Sequence, residues 1–225
     1  MNHENYGLLE DYMLSCMSDS AHDKEHVYRV LYAALDIAEH ENGVDYDVLV
    51  AACLLHDIGR QEQFECPEKC HAVAGAEKAT VFLRTHGFDD ELAQRVGACI
   101  ASHRFRSDAP PESIEAKILF DADKIDVTGA IGIARTIFYQ GQVSEPLYTM
   151  LPNGQVSDGT NDEAPSFFQE YKYKLEGLYS KFYTKRGTEI AAQRKASAAA
   201  FYESLLGEVK TSYGVGRALL ERIVG

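Results

Sequence analysis

Two adjacent side chains, His56 and Asp57, close a run of apolar residues, VLVAACLL, from Val48 to Leu55. A run that is apolar on every side reads as a central helix, and its Ala-Ala-Cys-Leu-Leu portion favours helix over strand. An aspartate at the end of a buried helix is costly unless it is paired or bound to a cation. The negative pole of the helix dipole lies at the same end and adds to that cost. A divalent cation would offset both penalties. Successive residues on an ideal helix point about 100° apart, so His56 and Asp57 share a cation best where the helix is ending, before a C-cap expected at Gly59.

A second polar cluster follows the apolar Ile118, Leu119 and Phe120 in LFDADKID. If this segment is helical, Asp123 and Asp126 lie on neighbouring faces while Asp121 turns away. Asp123 and Lys124 together offer one metal ligand and one phosphate contact, whereas Asp121 and Asp126 read as solvated or helix-supporting charges. Three further histidines have telling positions. His26 flanks the apolar stripe of the first long helix, His103 continues the inward series Leu92, Val96, Cys99 and Ile100, and His71 shares a face with Gly75 and Phe82.

The elements that must position these residues are helical throughout. The segment from Asp23 to His40 places Val27, Val30, Leu31, Ala34, Ile37 and Ala38 on one stripe, which Gly43 ends. Further helices are expected from His71 to Gly87, from a cap at Asp89 or Asp90 to about Arg104, and from Pro110 and Pro111 through Asp126, extending toward Tyr139. Residues 140–165 are rich in turn formers and form a long loop, a candidate lid. Two amphipathic helices, at about 166–184 and 188–206, and a last one from about 208 complete the chain. The Tyr-rich YKYKLEGLY at 171–179 has the apolar spacing of ordinary helix packing, with nucleobase stacking as the alternative.

Bulk properties narrow the class. With 225 residues the chain can bury one good-sized core and is expected as a single domain over 1–225. A net charge of −13 disfavours nucleic-acid polymers and anionic membranes as partners, so a phosphorylated substrate would need a local positive cluster. The amino terminus does not read as a signal peptide, and no stretch has the ~18 apolar residues of a membrane helix. The five cysteines are odd in number and are expected as reduced thiols in a cytoplasmic protein. Cys66, Cys70 and His71 (CPEKCH) lack the second pair that would complete a zinc knuckle.

Taken in order, His26, the doublet His56-Asp57 and Asp123 resemble the H…HD…D signature of the HD-domain superfamily. The local sequences agree: HVYRV at 26–30, AACLLHDIGR at 51–60, HAVAGA at 71–76, DADKIDVTGAIGIART at 121–136 and TKRGTEIAAQR at 184–194. They are similar to a subgroup of small, single-domain bacterial phosphohydrolases, over roughly residues 22–205, with 140–165 the least similar stretch. The resemblance implies an all-α HD-domain bundle with additional C-terminal helices and a divalent metal ion held by His26, His56, Asp57 and Asp123. It also implies that His71 and His103 serve either a second metal or the substrate. A mixed nitrogen and oxygen ligand set suits Mn, Fe, Co, Ni or Zn better than a site built only of oxygens, with Mg the remaining candidate.

The chemistry implied is hydrolysis of a phosphoester or phosphoanhydride, with a nucleotide as the expected small phosphorylated substrate and a homo-oligomer as a further expectation. The metal would lower the pKa of a water and polarise a phosphoryl oxygen. Asp57 would orient that water, which makes it, with Lys124, the catalytic pair. Arg29, Arg60, Lys124 and Arg135 are the candidates for neutralising phosphate. Two alternatives use the same residues: an HD-type di-iron oxygenase, marked by two tightly bound irons and oxygen-dependent turnover, and a non-catalytic metal or nucleotide sensor, marked by binding without turnover.

Overall fold

Around the apolar run at 48–55 the chain wraps a layer of helices. The computed structural model describes residues 1–17, 24–104 and 110–225, and among these the fold is all-α, with one isolated antiparallel bridge, Met150 to Val156. By its packing the chain, expected as one domain, forms two compact units: Met1–Asp126 with Phe182–Gly187, and Val127–Lys181 with Thr188–Gly225. No described helix is long and apolar enough to cross a membrane.

In the first unit, α1 (His3–Cys16) buries Leu9 and Met13 and packs on α3. Helix α2 (Lys24–Ala38) buries the predicted stripe; its expected start at Asp23 lies outside the described residues. Helix α3 (Tyr46–Leu55) is the predicted central helix, with Val48, Leu49 and the whole of Ala51–Leu55 buried, and Asp45 caps it by accepting from Asp47 N and Val48 N. The short α4 (Arg60–Glu65) buries none of its residues. Helix α5 (His71–Thr85) packs along α6 (Asp90–Ala101), which Asp89 caps as expected, and α7 (Ile114–Ile125) packs against α2, α3 and α6.

Two glycines stand where the chain departs from the sequence expectation. Gly59 is not a left-handed cap, for its φ is −92°. A Cβ there would lie 2.3 Å from the His71 carbonyl oxygen and 2.4 Å from Gly75 N, so Gly59 is needed because the α3–α4 turn presses directly on α5. Gly129 (φ +63°) is in the left-handed region, and the helix expected to run on toward Tyr139 instead ends at Ile125. The chain turns through Asp126–Thr128 before the next helix starts.

Asp121 is fully buried rather than solvated, because it accepts hydrogen bonds from Tyr183 N, Thr184 N and Thr184 Oγ1 at 2.7–2.9 Å. Each charge-assisted bond of this kind contributes about 1.5–3 kcal/mol, and together they fix the 182–187 segment on α7. Arg186 adds a bidentate pair to Asp36 of α2.

In the second unit, α8 (Gly129–Gln142) is followed by a loop that bonds to itself: Asp162 accepts from Thr149 Oγ1 and Ser157 Oγ. The helix expected at 166–184 is broken into α9 (Phe167–Glu170), a π-helical turn (Tyr171–Leu175) and a 3-10 turn (Leu178–Ser180). Its Tyr171 is buried and stacks on Tyr202, centroids 4.1 Å apart, so this tyrosine packs the core. The two helices expected after residue 188 are one, α10 (Lys185–Val224), because Gly207 sits among strong helix formers and costs only about 1 kcal/mol in a helix interior.

Candidate metal centre

His56 and Asp57 leave α3 at its last turn, as their position after an all-apolar helix predicts, and both are buried. Around Asp57 the fold gathers His26 from α2, His71 from the first position of α5, His103 from just beyond α6, and Asp123 from α7. His26, His56 and Asp123 offer one group of ligand atoms, all within 4.8 Å of one another, and Asp57, His71 and His103 offer a second. Asp57 joins the two. Its Oδ2 lies 3.5 Å from His26 Nε2 and 3.7 Å from His56 Nε2, while its Oδ1 lies 3.6 Å from His71 Nε2 and 3.7 Å from His103 Nε2.

The orientation of the four imidazoles is set from behind. His56 Nδ1 donates to the Cys53 carbonyl at 2.7 Å and His103 Nδ1 to the Ile100 carbonyl at 2.6 Å. His26 Nδ1 donates to Asp126 Oδ2 at 2.7 Å and His71 Nδ1 to Gln63 Oε1 at 2.6 Å. With each Nδ1 bound to an acceptor, each ring turns its Nε2 toward the centre, where it offers a lone pair whenever the ring is neutral. His26 and His56 bring two such nitrogens within 3.3 Å, as do His71 and His103. Facing lone pairs repel unless a positive charge lies between them. Among the described residues the buried Asp57 Oδ1 has no hydrogen-bond partner, which is costly for a carboxylate oxygen away from water. The donor set, the paired lone pairs and the orphaned oxygen all fit a divalent cation.

Electrostatics keep these groups in the form a cation needs. Burial pushes His56 down to about 4, and burial with the nearby Arg60 charge pushes His71 down to about 3. Burial works against ionising Asp57, but Arg60 and His56 outweigh it and hold the carboxyl well below the usual range. His26 does the same for Asp123, again against burial.

The basic residues singled out from the sequence divide. Arg60 places Nε 3.0 Å from Asp57 Oδ2 and is partly exposed. Lys124 is buried, its ammonium 4.3 Å from the Phe120 ring centroid. Arg29 grips Asp126, with Nε on Oδ1 at 2.7 Å and its second amine on Oδ2 at 3.1 Å. Arg135 lies half-buried on α8, in the second unit. Two residues were missed. Asp126, read as a solvated charge, is buried and holds His26, and Gln63 holds His71. Asp126 could have been found from its place three residues after Asp123, on a neighbouring helix face; nothing in the sequence marks Gln63.

Comparison with known proteins gives this arrangement its family. The HD domain model matches residues 24–128, the stretch that supplies every ligand above. Bacillus subtilis YpgQ is 31% identical over 180 residues, covering 78% of each chain. The chain belongs to the HD-domain superfamily. At the superfamily level this chain is a metal-dependent hydrolase, like the HD-superfamily hydrolases it resembles. An HD-superfamily hydrolase from Bacillus thuringiensis superposes with a TM-score of 0.67 at 27% identity, over 91% of this chain and 96% of its own. YpgQ in complex with ADP superposes with a TM-score of 0.68 at 26% identity, over 89% of this chain and 97% of its own. A Lactobacillus plantarum protein, at 24% identity, shares the fold with a TM-score of 0.73 over 94% of this chain and 99% of its own.

Proposed function

We propose that this HD protein hydrolyses phosphoester or phosphoanhydride bonds of a nucleotide, at a centre where two ligand groups meeting at Asp57 would each hold a cation. The observation that carries the reading is the pair of ligand groups meeting at the two oxygens of one buried carboxylate. His26, His56, Asp123 and Asp57 Oδ2 would hold one cation, and His71, His103 and Asp57 Oδ1 the other. When bound, divalent cations supply an acidified water and neutralise charge on the phosphoryl group.

The remaining steps belong to the chain. Asp57, held ionised, orients the attacking water. Arg60, whose Nε lies 3.0 Å from Asp57 Oδ2, receives the phosphate oxygens, and Lys124 stays a catalytic and phosphate-binding candidate on its place beside Asp123 in the sequence. Arg29 is engaged by Asp126 and acts through it, keeping His26 in place. Arg135 stays a phosphate-binding candidate on its sequence context. The ADP complex of YpgQ supports a nucleotide, and relatives described as hydrolases favour hydrolysis over a di-iron oxygenase or a sensor.

The test is metal analysis of the purified protein alongside phosphate release from a nucleotide panel, repeated for Asp57→Ala. Loss of both metal and turnover in the variant is expected. A variant that keeps both would overturn the assignment, and oxygen-dependent turnover with two bound irons would transfer it to the oxygenase.

A further inference from the structure

Helix α4 is short, has no fully buried residue and is pinned on two of its sides. Arg60 reaches Asp57, Gln63 reaches His71, and Glu62 pairs with Lys78 of α5 at 2.7 Å. At about 100° per residue, Arg60, Gln63 and Phe64 fall within one arc of about 100°. Glu62 lies on the opposite side, and the mutually bonded Gln61 and Glu65 lie between. Two members of the arc touch the ligands of the centre. The third, Phe64, is 77% exposed.

A phenylalanine this exposed gains nothing from folding, yet its helix is held rigidly against the centre by its neighbours. Residues four apart on a helix keep their Cβ atoms about 5–6 Å apart, so the ring sits one turn beyond Arg60. Tyr32, also strongly exposed, lies about 120° round α2 from His26 and stacks on Tyr28.

We infer that Phe64 is the base platform of this site, the face on which the nucleobase stacks while the phosphates meet Arg60 and the Asp57 cluster. This rests on the nucleotide reading above and adds a specificity-determining residue to it. Stacking on an aromatic ring is tolerant of base identity, because every base presents a π face. The platform therefore selects nucleotides over inorganic polyphosphates without choosing among bases.

The experiment compares ATP with inorganic tripolyphosphate on the metal-loaded full chain, for the wild type, Phe64→Ala and Phe64→Trp. Phe64→Ala is expected to lower the ratio of kcat/KM for ATP to that for tripolyphosphate by roughly tenfold, through KM for ATP, and Phe64→Trp to restore it. An unchanged ratio, or an equal fall for both substrates, overturns the platform. Calorimetric binding of ATP separates the two proposals. Weaker binding in Phe64→Ala supports the platform even if turnover is absent and the hydrolytic reading fails. Equal binding removes the platform while leaving hydrolysis standing.

Discussion

On the α2–α3–α7 side of the centre, His26 hangs from the buried Asp126 carboxylate, which Arg29 grips in turn, and Asp123 adds a second acidic ligand. On the α5–α6 side, His71 hangs from a neutral amide, Gln63, on a surface helix with no buried residue. His56 and His103 are held alike, each by a backbone carbonyl three residues earlier. The difference lies in charge and burial. A carboxylate behind an imidazole raises its basicity more than an amide does, and a buried support moves less than one at the surface. On the proposed two-cation reading, the first side would keep its cation and the second would exchange one.

The largest expected effect comes from breaking the comparison at its hinge. Asp57→Ala removes the group common to both sides, and turnover should fall by at least about 10²–10³-fold with loss of bound metal, read by phosphate release and elemental analysis. Unequal supports should then give unequal effects. Asp126→Asn is expected to cost toward 100-fold, and Gln63→Ala nearer tenfold, within the roughly 10–100-fold range for such supporting residues. Titrating Mn²⁺ into metal-stripped protein would reveal the order, and similar losses for both variants would erase the distinction.

Chelator sharpens the same contrast without mutation. Metal should leave in two phases, with Asp126→Asn speeding the slower one and leaving the faster little changed, and a single phase would mean that the two sides act as one. The smallest effect lies away from both. Gly207→Ala meets nothing within 4 Å on the exposed run of α10 and should raise stability by about 0.5–1 kcal/mol. Denaturant unfolding would measure the gain, while the metal content should match the wild type.

Much of the fold was legible because its signals are local. The stripe of α2, the all-apolar α3 and the Asp89 cap of α6 each lie within a few residues of the feature they specify. Where the sequence misled, the cause was distant. Gly59 was read by its conformational freedom, but its reason is the approach of α5. Asp121 and Asp126 were read as solvated or helix-supporting charges, but residues far off in the chain make their burial tolerable, Tyr183 and Thr184 for the one, Arg29 and His26 for the other. α10 is one helix where two were expected, because a glycine interior to a helix carries a penalty too small to force a break by itself.

By itself the sequence determined the ligand types. A histidine and an aspartate ending an apolar helix must find a cation or another partner, and the ordered His26, His56-Asp57 and Asp123 tied that need to a family. Which atom of each residue faces the centre was decided only in three dimensions. An imidazole has two nitrogens, and the acceptor behind it chooses between them, so Cys53, Ile100, Asp126 and Gln63 fix all four rings. A carboxylate has two oxygens, and whether they serve one cation or two depends on what packs on either side. Here α2 and α3 bring histidines to one oxygen of Asp57, and α5 and α6 bring them to the other.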